Sequence, residues 1–300
     1  MTGIGPAGPR GVQGTAAMGG TTACLVEPDW LEGRLGDPGV KIVEIQWMSP
    51  ESYAAGHIPG ARGWAWKEWL WDPQIRDFPA PAEFARRCAA AGIGNGDTVV
   101  FYSEQVQFGA YAWFVFTLLG HPDVRLLNGS KRRWMREGRA LTTEPPKIAP
   151  ARYDPPASRR QDMRIGRDEL RALLPEFASG DKAVLLDHRT PEEFRGERVN
   201  TTGQPDHGAE RSGRIPGARH LYYEEFLADD HSFRSPEELT ALLAARGATP
   251  DRDIVSYCRL SHRATLAWFV MTELLGWPRV RSYDGSWTEW GSMVGMPIEK

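Results

Sequence analysis

One block of seven residues occurs twice in the chain. Gly56-His57-Ile58-Pro59-Gly60-Ala61-Arg62 returns as Gly213-Arg214-Ile215-Pro216-Gly217-Ala218-Arg219. A nearly constant offset of 155 to 157 residues also links Tyr102 to Tyr257 and Ala112-Trp113-Phe114-Val115 to Ala267-Trp268-Phe269-Val270. It links Asn128-Gly129-Ser130 with Trp134 to Asp284-Gly285-Ser286 with Trp290 as well. Landmarks in one order at one spacing mark a duplicated domain. Three hundred residues are enough for two such domains, each with its own core.

Each half follows the same grammar. Lys41–Ile45 and Ala183–Leu186 are short apolar runs next to an acidic residue, as buried parallel strands are. Thr98–Tyr102 and Asp253–Tyr257 form a second strand in each half, and Val124–Leu127 and Val280–Tyr283 a third. Helical runs at Gly109–Leu119 and Arg263–Leu275 close on Gly120 and Gly276, with Pro122 and Pro278 just beyond. Strands alternating with helices predict an α/β fold in each half, a mostly parallel sheet flanked by helices. The expected organisation is a Gly-rich tail over 1–22, in which Met18 offers an alternative start, then a first domain over 23–142. A Pro-rich linker over 143–161 and a second domain over 162–300 follow.

Composition excludes several function classes. The formal net charge is −3, so no global basic field exists to collect nucleic acid. The apolar stretches around 110–120 and 264–276 are too short to span a bilayer. The first 22 residues have no apolar segment of a secretory signal, which leaves the cytoplasm as the expected address. Only three cysteines occur, Cys24, Cys88 and Cys258, too few and too scattered for a disulfide framework or a zinc site.

One of the three is placed for chemistry. Cys258 follows the strand that ends at Tyr257 and precedes Arg259-Leu260-Ser261-His262-Arg263, which opens a helix. Ligands of open parallel sheets bind at the carboxyl ends of strands. Backbone N–H groups at a helix start, with Arg259, Arg263 and His262 nearby, stabilise negative charge on sulfur and make a nucleophile of it. Cys88 lies on the apolar side of an amphipathic helix and reads as core. Cys24 lies beside the tail and reads as incidental. The first-half counterpart of Cys258 is Ser103, followed by Glu104. It has no clustered arginines and no neighbouring base, so the first domain is expected to be non-catalytic.

These residues resemble the two-domain rhodanese-like sulfurtransferases, in particular the bacterial thiosulfate sulfurtransferases, from about Trp30 to Lys300. The resemblance rests on the paired Ile-Pro-Gly-Ala segments, Asp187-His188-Arg189, Cys258-Arg259 and Asp284-Gly285-Ser286-Trp287-Thr288-Glu289-Trp290. It implies ping-pong chemistry. Cys258 takes the outer sulfur of thiosulfate as a cysteine persulfide and passes it to cyanide or another thiophilic acceptor, with no cofactor or metal. It implies that Arg259, Leu260, Ser261, His262 and Arg263 form the substrate loop and that Trp47 faces it from the first domain. Asp187 and Arg189 would brace the loop from behind. The expected partners are a small-molecule sulfur donor and that acceptor, and two domains completing one pocket are compatible with a monomer.

Two positions depart from the family pattern. Ser261 stands where many relatives have glycine, so a loop that needs positive φ there is strained. Glu193 stands where animal-type enzymes place a sulfonate-binding arginine. The insertion over 195–212, absent from the first half, is expected near the second-domain site. Three rival readings remain. A 3-mercaptopyruvate enzyme usually has glycine, not arginine, after the cysteine. A phosphatase of this fold uses a loop one residue longer than Cys258–Arg263. A binding module or a relay to a protein acceptor needs no small-molecule turnover.

Overall fold

The computed structural model describes residues 23–47 and 50–300, so the expectation of an unstructured tail over 1–22 lies outside the described residues. The first half carries β1 (Leu25–Val26), β2 (Val40–Gln46), β3 (Arg62–Ala65), β4 (Thr98–Ser103) and β5 (Val124–Leu127). The second carries β6 (Ala183–Asp187), β7 (Arg219–His220), β8 (Asp253–Tyr257) and β9 (Val280–Ser282). Their sheets run β1-β5-β4-β2-β3 and β7-β6-β8-β9, with every strand pair parallel. Two parallel sheets flanked by helices are the α/β architecture expected from the repeat. Residues 143–160 contain no helix or strand. They cross the first half as a strap, with Ala151 N–H donating to Ala89 O and Arg160 N–H to Leu118 O.

The repeated Ile-Pro-Gly-Ala segment has one physical cause in both halves. Ala61 N–H closes a turn onto Ile58 O at 2.9 Å, and Ala218 N–H closes one onto Ile215 O at 3.1 Å. Gly60 and Gly217 take φ of 81° and 76° inside these turns, where proline at the second position and glycine at the third suit the backbone. Ile58 N–H then donates to the Tyr102 hydroxyl, which donates to Glu44. Ile215 N–H donates to the Tyr257 hydroxyl, which donates to Asp187. The turn is thus pinned to β4 in the first half and to β8 in the second, each through one buried phenol.

A Cβ on Gly217 would lie 3.0 Å from the Phe177 carbonyl carbon, whereas no described residue comes within 4 Å of the equivalent position on Gly60. Gly217→Ala is therefore expected to destabilise the protein by about 2 kcal/mol, and Gly60→Ala by about 1 kcal/mol from backbone strain alone. Equal denaturation midpoints for the two variants would refute this difference.

The helices Val106–Leu118 and His262–Phe269 join the two halves. Every residue of the first except Thr117 is buried, and all of the second are. A helix buried on all sides must be covered on all sides. Here each covers the other: Trp113 meets Phe269 edge-on at 4.8 Å, and Phe114 meets Trp268 at 5.3 Å. One apolar cluster therefore runs from Val43 and Phe101 in the first half to Leu266 and Met271 in the second. Polar ties add to it. Asp77 pairs with Arg159 and Arg164, and Arg76 with Asp284 across the junction.

The expected helix Arg263–Leu275 is α-helical only to Phe269 and continues as a π-turn over Val270–Leu274. Leu275 N–H reaches back five residues to Val270 O, and the Thr272 hydroxyl bonds the Trp268 carbonyl. A hydroxyl inserted into the helix ladder in this way favours local widening.

Candidate active site

Cys258 lies directly beyond the carboxyl end of β8 and is 1% exposed. Its backbone is held from the neighbouring Asp284–Trp290 segment. Cys258 N–H donates to Ser286 Oγ at 3.4 Å, and Trp287 N–H donates to Cys258 O at 2.9 Å. The next carbonyl, of Arg259, accepts from both Thr288 N–H and the Thr288 hydroxyl. Ser286 and Thr288 are loop-holding residues that sequence reasoning missed. The repeated Gly-Ser pair was the available signal, because Ser130 does the same for Ser103 in the first half. Ser261 takes φ of 74°, so the left-handed conformation that glycine favours is here imposed on serine. Its buried Oγ has no hydrogen-bond partner among the described residues.

A cavity of about 430 Å³ opens beside the thiol, between the two halves. Cys258, Arg259, Leu260, His262 and Arg263 form its floor. Trp47, Gln105, Gln107 and Phe108 of the first half form one wall, and Tyr222 and Tyr223 another. The insertion closes the rim with Asn200, Thr201, Gln204, Pro205 and His207. It is folded on itself, with Asp206 accepting from the N–H groups of Val199 and Asn200, and Asn200 donating to Pro205 O.

Most residues singled out from the sequence meet here. Trp47 lies in the wall, stacked on Phe108 at 4.4 Å. Ser261 sits in the loop but does not line the cavity. Asp187 and Arg189 also stay out of it, fully buried behind Tyr257 as an ion pair with a shortest contact of 2.6 Å. Arg189 also donates to Gly213 O. Burial works to raise the Asp187 carboxyl, but Arg189 and the Tyr257 hydroxyl hold it below the usual carboxylate range.

Two expectations about charge need correction. His262 does not add a positive charge. Its ring is enclosed by Trp47, Trp66, Phe108 and Tyr111 at centroid distances of 4.4 to 5.1 Å. Burial, then Arg259 and Arg263, push it well below the ordinary histidine range, so the ring is neutral at pH 7. Nor is Arg263 an unpaired fork. It donates to both Glu193 oxygens, at 2.7 and 3.0 Å, in a buried pair. Burial would raise the Glu193 carboxyl, yet Arg263 holds it low and ionised.

The matching first-half loop is closed. The Ser103 hydroxyl donates to Gln105 O and accepts from Gly109 N–H, and Ser103 is fully buried. The same loop supplies the wall of the second-half cavity: Gln107 donates to Gln105 and to the Tyr223 hydroxyl. Gln105, Gln107, Phe108, Tyr222 and Tyr223 were not identified from sequence. The two strongly apolar helical runs at equivalent repeat positions, Gly109–Leu119 and Ala264–Leu275, were the clue that both strand-end loops face one another. Cys88 is in the first-half core, where burial pushes its thiol far up, as its helix position indicated.

A family model described as the rhodanese-like domain matches residues 27–137 and 168–293. The chain is 44% identical over 277 residues to the sulfur carrier protein TtuD of Thermus thermophilus, covering 92% of this chain and 96% of that one. It is 41% identical over 279 residues to a Saccharopolyspora erythraea protein provisionally named a thiosulfate sulfurtransferase, covering 92% and 95%. Among solved structures, the anaerobic ergothioneine biosynthesis enzyme of Chlorobium limicola in complex with trimethyl histidine matches with a TM-score of 0.78. Its identity is 25%, and the match covers 93% of this chain and 70% of that one.

Proposed function

The chain belongs to the rhodanese-like domain family, and on that premise we propose that it is a sulfurtransferase whose reacting atom is Cys258 Sγ. The observation that carries this reading is a cysteine at the end of a parallel strand, on the floor of a cavity walled by both halves. The thiolate attacks the outer sulfur of thiosulfate. The sulfur–sulfur bond breaks, sulfite leaves with its electron pair, and a persulfide remains on Cys258. A thiophilic acceptor, cyanide or a thiol, then takes the outer sulfur and restores the thiolate.

The arrangement supplies what these steps need. Arg259 stands beside the thiol, and its guanidinium is steadied by the His207 carbonyl at 3.4 Å. The first N–H groups of the helix His262–Phe269 have no acceptor within the helix and favour an anion at its start. Bonds from Ser286, Trp287 and Thr288 fix the loop backbone before substrate arrives, so little reorganisation accompanies the transfer. Ser103 has no comparable setting, which supports a first half that shapes the pocket rather than reacts. A second reading, relay of the sulfur to a protein acceptor, is favoured by the name of the Thermus relative, a sulfur carrier protein.

Intact-protein mass spectrometry tests the chemistry. After brief exposure to thiosulfate the chain is expected to gain the mass of one sulfur atom, lose it on adding cyanide, and gain nothing as Cys258→Ser. A sulfur retained by the Cys258→Ser variant would refute the assignment.

A further inference from the structure

We propose that Glu193 sets the charge of the cavity and thereby selects a singly charged organic sulfur donor with an apolar body over the thiosulfate dianion. This rests on the persulfide reading above and names the donor class that the same site prefers.

Charge is the first ground. Among the described residues the cavity wall carries three charged side chains, Arg259, Arg263 and, at the exposed rim, Glu224. Arg263 is cancelled from behind by Glu193, whose carboxylate is fully buried and grips both of its outer nitrogens. That leaves Arg259, among the described residues, as the single wall cation without a carboxylate partner. His262, neutral inside its aromatic enclosure, adds nothing. With the Cys258 thiolate already in the cavity, a dianion brings the total to three negative charges against that one cation and a monoanion brings it to two, and burying unmatched charge is costly. The monoanion leaves less charge unmatched.

Room and surface are the second ground, independent of the first. A five-atom inorganic ion leaves most of about 430 Å³ unfilled. The faces of Trp47, Phe108, Tyr222 and Leu260 offer apolar contact that thiosulfate cannot use. A donor of the form R–SO2–S⁻ uses both. The Cys258 thiolate bonds its outer sulfur, the sulfur–sulfur bond breaks, and the sulfinate R–SO2⁻ leaves with the electron pair. The products are one persulfide anion and one sulfinate anion, which balances the two anions consumed.

Benzenethiosulfonate and thiosulfate test this directly, because they present the same reacting sulfur with one and two negative charges. In a ping-pong scheme kcat/KM for the donor reports the loading step alone. Each value is divided by that donor's rate with a small thiolate in water, which removes intrinsic reactivity. The wild-type protein is expected to favour benzenethiosulfonate by about ten-fold or more, and Glu193→Gln to raise thiosulfate loading by about ten-fold. The wild-type ratio decides the matter alone if the variant does not fold. An equal or better thiosulfate value in the wild type overturns the proposal, as does an unchanged ratio in a folded Glu193→Gln protein. Failure of both donors to place sulfur on Cys258, read by mass, would instead remove the persulfide reading itself.

Discussion

Cys258→Ser is expected to lower sulfur transfer by about a million-fold, to the background of the uncatalysed reaction, as removal of an obligatory nucleophile does. A serine oxygen cannot carry sulfane sulfur under these conditions. The fold should survive, because the contacts that hold this loop are made by the backbone of Cys258 to Ser286 and Trp287, not by its sulfur. An unchanged melting temperature with no turnover is therefore the expected pair of results. Cys88→Ser should give the opposite pair, since Cys88 is buried in the apolar core and takes no part in the cavity. It should lose stability and keep its turnover. Transfer persisting in Cys258→Ser, or vanishing in a folded Cys88→Ser, would reverse the assignment.

The second large effect concerns stability. Asp187→Asn leaves Arg189 without its counter-charge in a site where both side chains are fully buried. Such a change costs about 3–5 kcal/mol, and the Tyr257 hydroxyl loses an ionised acceptor. The sign of the pH dependence follows. The folded-state carboxyl lies below its ordinary range, so its contribution is present above the unfolded value, near pH 4, and is lost as pH falls through the folded one. Acid unfolding of Asp187→Asn should accordingly be less steep below pH 4 than that of the parent. A melting temperature equal to the parent's would show that the pair is energetically idle.

The first half solves the same problem with different residues. Glu44 replaces Asp187, and Lys131 supplies the cation at 2.9 Å. Lys131 occupies the repeat position of Trp287, over whose ring Arg189 lies at 4.6 Å. The cation has changed places between the halves while the phenol-to-carboxylate bond has stayed.

What the sequence revealed and what it hid divide along a physical line. Ile-Pro-Gly-Ala was legible because a turn imposes local demands on proline and glycine, and those demands recur. Cys258 was legible because a strand end, a helix start and two arginines lie within six residues of chain. The strain at Ser261 was foreseeable only from the resemblance, because many relatives have glycine at that position. The partner of Arg263 was not, because Glu193 lies 70 positions away and only the folded β-sheet brings them together. Sequence reasoning read Glu193 as standing in the place of a sulfonate-binding arginine and Arg263 as positive charge for the loop, whereas the two neutralise each other. The aromatic cage around His262 was hidden for the same reason, since its rings come from three separate stretches of the first half. The π-turn depends on a single hydroxyl and left no periodic trace.

The closed Ser103 loop has a consequence for how such a chain can change over generations. On the proposed reading its residues guard no reactive atom, yet Gln105, Gln107 and Phe108 line the cavity beside Cys258. Substitutions at Gln105 and Gln107 can retune what is admitted while leaving the bonds that hold the Cys258 backbone in place. Duplication has separated an inherited tool from an adjustable gauge, and selection can work on the gauge alone.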